Sequence, residues 1–211
     1  MDMSARKLAL AAAAALVAAA PLAHATIMLP MSLEDLAHES STVVRARVLA
    51  KEAGWDEAHQ RIYTTTTMAV VETVFASQKL ATEIRVRTLG GEVGEVGMKV
   101  SGAPDFKVGE ETLLFLRDDH LPGQFLVVGM NQGRFRLEQN NGRTIAVPSN
   151  EGIAFASPGT DGVVRVNDQK VALAPVPYAD LKSQVIRIKA DEKPRTQNTV
   201  PRPASPGAIT K

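Results

Sequence analysis

The side chains most able to do chemistry are histidines, and they lie far apart in the chain. His38, His59 and His120 fall in three separate segments, with no pair four residues apart and no His-Glu-x-x-His motif. A zinc site needs ligands that converge on one point, and a chain without cysteine must build it from histidine and carboxylate side chains. His59 and His120 each stand close to acidic residues in turn-like segments, which is typical of solvated turns. The sequence therefore predicts no metal site.

Nucleophiles and paired carboxylates form no recognisable catalytic pattern either. No Gly-x-Ser-x-Gly motif places a serine on a strand-to-helix turn. The neighbours Glu110 and Glu111, like Asp118 and Asp119, would point to opposite faces of a strand, so neither pair is an acid/base dyad. We therefore predict that the protein is not an enzyme. A hydrolase that gathers histidine, serine and aspartate from distant loops is the alternative.

The glycine-rich stretch GGEVGEVG, at 90–97, raises the question of a phosphate loop. No Gly-Lys-Ser/Thr sequence follows its glycines, and the residues after Met98 do not form a helix pattern. Glu92 and Glu95 would also repel a phosphate. The stretch is therefore predicted to be a wide turn between strands, in which glycine allows positive φ, and no cofactor is expected.

The N-terminal segment has the pattern of a secretory signal peptide. Arg6 and Lys7 precede an apolar run that is shorter than the ~20 residues a membrane-spanning helix needs. Ala23, His24 and Ala25 then form a small-x-small cleavage site. The alternative is a membrane anchor. We expect cleavage after Ala25 and export of the protein to the periplasm or beyond the cell.

Composition narrows the class of protein further. The chain has 24 Lys and Arg against 23 Asp and Glu, so it has no basic surface typical of nucleic-acid binding. It has no cysteine, which excludes disulfides and thiol chemistry. The hydrophobic core must therefore stabilise an exported domain by itself.

Periodicity predicts a mainly β protein with a short helix near each end. Ser32 and Asp35 have the spacing of a capping box, and Tyr178, Leu181 and Val185 lie on one face of a C-terminal helix. Alternating and β-branched residues predict strands at 42–50, 62–75, 83–89, 98–101, 112–117, 125–130, 133–137, 144–147 and 163–166. Short strands separated by turns, including the hairpin signal Asn141-Gly142, favour an OB-like, closed β-barrel of short antiparallel strands.

These elements suggest four segments. They are a signal peptide at 1–25, a β-barrel domain at 26–147, an extension with the C-terminal helix at 148–190, and a disordered, proline-rich tail at 191–211. The loops 54–61, 90–97 and 118–124 would be available for a partner. The candidate contact residues in them are Trp55, Asp56, His59, Glu92, Glu95 and His120. Trp55, the single tryptophan, could instead close one end of the barrel.

Several stretches between 33 and 137 resemble a known family. They are the predicted first strand, SSTVVRARV, and the segments TLGGEVG, SGAPDFKVGEETLLFL and VVGMNQGRFR. They resemble a family of secreted bacterial proteins of unassigned function that are often associated with matrixin-like zinc metalloproteases. In the most specific part, Pro104 would stiffen the chain, Phe106 would fill the core and Gly109 would make a turn.

The layout is also similar, more distantly, to the netrin and tissue-inhibitor-of-metalloproteinase module, an OB-like barrel. That resemblance implies binding to a protease or to another exported protein. Those animal inhibitors bind the protease zinc through an N-terminal cysteine, whereas the sequence after the predicted cleavage site begins with Thr26. The resemblance therefore supports the fold more than a zinc-chelating mechanism.

Together these features predict an exported, non-catalytic binding or accessory protein that acts on a secreted metalloprotease or another envelope protein. The alternative is a barrel that binds a small ligand or a glycan, either at its mouth or on a basic face formed by Arg45, Arg47, Arg85 and Arg87. Such arginines are more often the solvated face of a sheet.

Overall fold

The computed structural model describes residues 26–158, 164–167 and 173–192. The predicted signal peptide at 1–25 and most of the predicted tail at 191–211 lie outside the described residues. Asp191 and Glu192 are exceptions, because the last helix ends at Asp191 and Glu192 is its C-cap.

The helices are α1 (Leu33–Glu39) and α2 (Tyr178–Asp191), with a 3-10 helix at Met130–Gly133. The strands are β1 (Thr26–Met28), β2 (Thr42–Trp55), β3 (Ile62–Ala76), β4 (Glu83–Leu89), β5 (Gly91–Val93), β6 (Val96–Met98), β7 (Glu111–Asp118), β8 (Gln124–Val127), β9 (Arg134–Asn140), β10 (Arg143–Pro148), β11 (Ile153–Pro158), β12 (Val164–Asn167) and β13 (Val176–Pro177). The mainly β fold with a helix near each end is confirmed.

Five strands close into a barrel in the order β2, β3, β4, β8 and β7, after which β7 pairs again with β2. The β4–β8 pairing is parallel, and the other four pairings are antiparallel. This is a closed, OB-like barrel. The β4–β8 pairing differs from the predicted antiparallel pairing. Strand β3, with 15 residues, has close to its predicted extent, whereas β2, with 14 residues, continues to Trp55, beyond its predicted end at residue 50.

The central strand β7 is buried on both faces, from Thr112 to Leu116. Leu114 and Leu116 pack in the barrel interior with Val44, Met68, Val86 and Phe106. Leu113 and Phe115 face a second core, between the outside of the barrel and the two helices. A strand covered on both faces needs a continuous apolar run, which explains the unbroken TLLFL sequence.

Both helices begin and pack as their sequences predict. Ser32 Oγ accepts a hydrogen bond from the Asp35 N–H at 3.1 Å, and Asp35 Oδ2 accepts one from the Ser32 N–H at 2.9 Å. This is the expected capping box, with an acidic residue in the third position. In α2, Tyr178, Leu181 and Val185 are buried in the second core.

The hairpin signal is also confirmed, but several strand bounds are not. Asn141 and Gly142 have φ values of 47° and 75° and join β9 to β10. The strand predicted at 98–101 is wrong, because pairing across Gly94 and Glu95 ends β6 at Met98. The strand predicted at 125–130 ends at Val127, where the chain turns into the 3-10 helix.

One buried arginine fastens the loop before β7 to the sheet. The Arg134 residue is 4% exposed, and its Nη1 donates to the Asp105 carbonyl at 2.8 Å. Its Nη2 donates to Glu110 Oε1 at 2.6 Å, and its guanidinium carbon lies 4.9 Å from the Phe106 ring centroid. Phe106 fills the barrel core and Gly109 turns the chain at φ 88°, as the sequence predicts. One guanidinium therefore holds the loop from Pro104 to Glu110 near both of its ends.

We expect Arg134→Met to lower the free energy of unfolding by about 3 kcal/mol, because it leaves Glu110 without its buried partner. The matched control is Arg136→Met, two residues further along the same strand, where the side chain is 44% exposed. This control is expected to change the free energy by less than about 0.5 kcal/mol. Urea unfolding of both variants measures the difference, and equal losses would contradict the assigned role of Arg134.

Candidate functional site: the barrel mouth

A cleft of about 770 Å³ opens at one end of the barrel, and we call it the barrel-mouth cleft. Strands β2, β3 and β4 form one side of it. The β5–β6 hairpin and the 99–106 loop form the other side. Its lining includes Lys51, Ala53, Thr64, Thr66, Thr88 and Phe106.

Threonine hydroxyls form the floor of the cleft. In the run of four threonines on β3, Thr64 and Thr66 line the cleft because successive side chains on a strand alternate between its faces. Thr88 of β4 pairs with Thr64 across the sheet. The Thr64 hydroxyl donates to the Gly90 carbonyl at 2.7 Å, and the Thr88 hydroxyl makes a long contact of 3.4 Å with the Thr64 carbonyl.

The Thr66 hydroxyl differs from these two, because it has no hydrogen-bond partner. The residue is 0% exposed, and its Oγ1 is a buried polar atom without a donor or acceptor in reach. An unsatisfied buried hydroxyl costs roughly 1–3 kcal/mol. The Thr66 hydroxyl therefore lies buried beneath the cleft floor, without a partner and at an energetic cost.

The glycine-rich stretch forms the roof of the cleft. Gly91 has a φ of 139°, and a Cβ at this position would lie 2.5 Å from Thr64 Oγ1 and 2.9 Å from the Ala53 Cβ. Only glycine lets the hairpin approach the barrel this closely. The predicted turn with positive φ is confirmed at Gly90, Gly91 and Gly94. The sequence did not predict that this turn is a β-hairpin lying against the barrel mouth.

Charged side chains of both signs stand around the cleft. Lys51 Nζ on β2 lies 2.5 Å from Asp105 Oδ1 on the 99–106 loop, so an ion pair connects the two sides. Glu92 and Lys99 also line the cleft. The lining therefore has two positive and two negative side chains.

Three of the predicted contact residues lie together at the tip of the β2–β3 hairpin. The rings of Trp55 and His59 stack with centroids 6.1 Å apart. Asp56 Oδ1 accepts hydrogen bonds from the Gln60 N–H at 2.7 Å and the Arg61 N–H at 3.1 Å. The hydrogen bond from Gln60 is the main reason why the pKa of Asp56 is below its ordinary value. Asp56 therefore shapes the turn that presents the two rings.

The other predicted contact residues are divided between two places. Glu92 lines the barrel-mouth cleft, and Glu95 is exposed in the β5–β6 turn. His120 instead lies in the β7–β8 loop, outside the cleft lining, with its Nδ1 2.5 Å from Asp119 Oδ1. Asp119 also binds Arg87 Nη1 at 2.9 Å, and the Arg87 guanidinium covers the Tyr63 ring at 3.7 Å.

The Asp119 side chain is only 1% exposed, and burial acts to raise its pKa. The hydrogen bonds from the His120 N–H and the Arg87 guanidinium outweigh burial, and they hold the pKa below its ordinary value of 3.8. Asp119 is therefore a buried anion that fixes Arg87 against the barrel.

This arrangement corrects the predicted basic face. Arg45 and Arg47 both bind the Glu111 carboxylate, and Arg87 binds Asp119. Of the four arginines proposed for that face, these three make ion pairs, with Arg45 and Arg47 sharing one carboxylate. They stabilise contacts between strands and loops and do not form an unpaired basic surface.

The three histidines have separate partners in the structure. His38 contacts Glu192 at 3.3 Å, His59 stacks on Trp55, and His120 pairs with Asp119. In the described ranges, no group of three or more histidine and carboxylate side chains is arranged to hold a metal ion.

Comparison with known proteins returned no significant match to any protein-family model, curated protein or solved structure. No helix in the described part of the chain is long and apolar enough to cross a membrane. The protein is therefore described by its own fold, which is an OB-like barrel with a polar cleft at one end.

We expect Thr66→Val to raise the free energy of unfolding by about 1 kcal/mol, because it removes an unpartnered hydroxyl and keeps the side-chain shape. Thr64→Val is the opposite case. It deletes the hydrogen bond to Gly90, so it should lower the free energy by about 1 kcal/mol. Urea unfolding distinguishes them, and destabilisation by both substitutions would show that the Thr66 hydroxyl has a partner.

Proposed function

We propose that this protein is an exported, non-catalytic binding module whose ligand site is the barrel-mouth cleft. The observation that carries the proposal is a cleft of about 770 Å³ at the barrel mouth, whose lining combines the half-buried hydroxyl of Thr64 with charged side chains at the rim. Clefts of roughly 300–1,000 Å³ with a few directed polar groups are typical of small-molecule sites.

The side chains around the cleft favour binding over catalysis. Its threonine hydroxyls have no histidine beside them to act as a base, and Lys51 is engaged by Asp105. Glu92 is exposed at the rim of the cleft. Export is the part of the proposal supported by the sequence of residues 1–25, with their basic start, apolar run and small-residue cleavage site.

The proposal is tested with a variant in which a large side chain fills the cleft. Ala103 is half-buried in the cleft wall, so Ala103→Trp should fill the cleft, whereas Ala58→Trp adds the same ring to an exposed turn. ¹H–¹⁵N spectra are recorded with the low-molecular-weight fraction of an envelope extract from the producing cells. We expect shifts at Thr64, Gly90 and Gly91 in the unaltered protein and in Ala58→Trp, and their loss in Ala103→Trp. Shifts that survive in Ala103→Trp, or none in any protein, would contradict the proposal.

A second candidate function is contact with an exported zinc metalloprotease through the β2–β3 hairpin tip. The stacked rings of Trp55 and His59, held by the Asp56 turn, form an aromatic projection, and tryptophan is enriched among residues that dominate binding energy. The sequence resemblance to proteins associated with such proteases gives the partner class.

To test this candidate, the immobilised protein is exposed to the exported fraction of the producing cells. Retention of an equimolar zinc metalloprotease is expected, with loss in Trp55→Ala. Ile186→Ala removes an exposed apolar side chain from α2 and should retain the protease. A protease retained equally by both variants, or not retained by the unaltered protein, overturns this candidate.

A further inference from the structure

We infer that the β5–β6 hairpin is a lid that opens as one unit over the barrel-mouth cleft. The hairpin forms the roof of the cleft, and Gly91, Glu92, Gly97 and Met98 are part of the lining. Its motion does not depend on what the cleft binds. Its role in admitting a ligand rests on the proposed binding function.

The hairpin is held to the barrel by few contacts. Strands β5 and β6 pair with each other and with no other strand in the described residues. In the same part of the chain, no side chain from 91 to 98 makes a hydrogen bond or an ion pair. None of these residues is buried, and Val93, Val96 and Met98 lie outside both cores. A segment with so few buried contacts can open locally while the rest of the domain stays folded.

Fixed contacts on both sides of the hairpin define where it can bend. Before the hairpin, the Gly90 carbonyl accepts a hydrogen bond from the Thr64 hydroxyl at 2.7 Å. After it, the Ser101 carbonyl accepts one from the Thr26 hydroxyl at 2.6 Å. The hinges therefore lie at Gly91 and just before Ser101. With a φ of 139°, Gly91 adopts a backbone conformation that other residues rarely reach, which suits it to a hinge.

Ile62 indicates how often the lid would open. Its side chain is 0% exposed although it belongs to neither of the two cores, and a Cβ on Gly91 would lie 3.3 Å from its Cγ2. The closed hairpin therefore covers it. The cost of exposing one isoleucine corresponds to an open population of roughly one molecule in ten to one in a hundred. The open lid is a minor state that a labelling experiment can detect.

A single thiol beneath the lid measures this opening, because the chain has no cysteine of its own. Ile62→Cys is compared with Val86→Cys, a position that is also 0% exposed but lies in the barrel core. We expect iodoacetamide to alkylate Ile62→Cys at least about tenfold faster, at a rate that changes little at low urea concentrations, because lid opening exposes little surface. Equal rates in the two variants, with the same dependence on urea, would overturn the lid.

Two glycines of the hairpin provide matched substitutions in the Ile62→Cys protein. A Cβ at Gly91 would meet Thr64 Oγ1 at 2.5 Å and the Ala53 Cβ at 2.9 Å, so Gly91→Ala should displace the lid and raise the alkylation rate about tenfold. Gly94 also has a positive φ, of 61°, but a Cβ there has no atom within 4 Å. Gly94→Ala should therefore change the rate by less than about twofold. Equal acceleration by both substitutions would assign the effect to backbone strain and reject the lid.

Hydrogen exchange in the unaltered protein tests the same opening without a substitution. Amides at 91–98 should exchange at least about tenfold faster than those at 64–68 of β3, and equal protection of the two segments would overturn the lid. None of these measurements uses a ligand. A rigid hairpin therefore overturns the lid and leaves the proposed function standing. A mobile hairpin with no extract-induced shifts at Thr64, Gly90 and Gly91 contradicts the proposed function alone.

Discussion

The buried guanidinium of Arg134 is the contact on which the cleft depends. It bonds to the Asp105 carbonyl and the Glu110 carboxylate and lies on the Phe106 ring, so it joins β9 to the loop that becomes one wall of the cleft. A charge buried to this degree stays stable only when its partners are in place. The wall is consequently fixed in one position, which would reduce the ordering cost of the proposed ligand binding.

The second core stabilises the barrel through the contacts that both helices make with its outer face. Because β7 is buried on both faces, helix α2 covers apolar surface that a free barrel would expose. Its position is set by polar contacts as well: Tyr178 Oη donates to Glu72 Oε2 at 2.6 Å, and Lys182 Nζ donates to Glu72 Oε1 at 2.8 Å. Burial and the nearby Glu72 carboxylate raise the pKa of Tyr178, so the phenol stays protonated and remains the donor. The extension after the barrel is therefore part of its support.

Thr66 places a polar group in an otherwise apolar part of the barrel interior. A valine in place of Thr66 would suit a barrel interior, since the neighbouring inward positions of β3 and β4 hold Met68 and Val86. Thr66 is one of several buried side chains with an unpartnered polar atom in the described residues, as are Ser41, Thr42 and Asn131. The close approach of Gly91 to Thr64 places the β5–β6 hairpin over the threonines of the cleft.

The sequence alone determined what depends on neighbours along the chain: the capping box at Ser32, the Asn141-Gly142 hairpin, the apolar face of α2 and the period of the long strands. The four consecutive threonines of β3 also indicated extended chain. The tertiary structure decided the parallel β4–β8 closure, the burial of Arg134 and the lack of a partner for Thr66. These features depend on residues tens of positions apart, and local periodicity encodes the face of a strand but not which distant group will meet it.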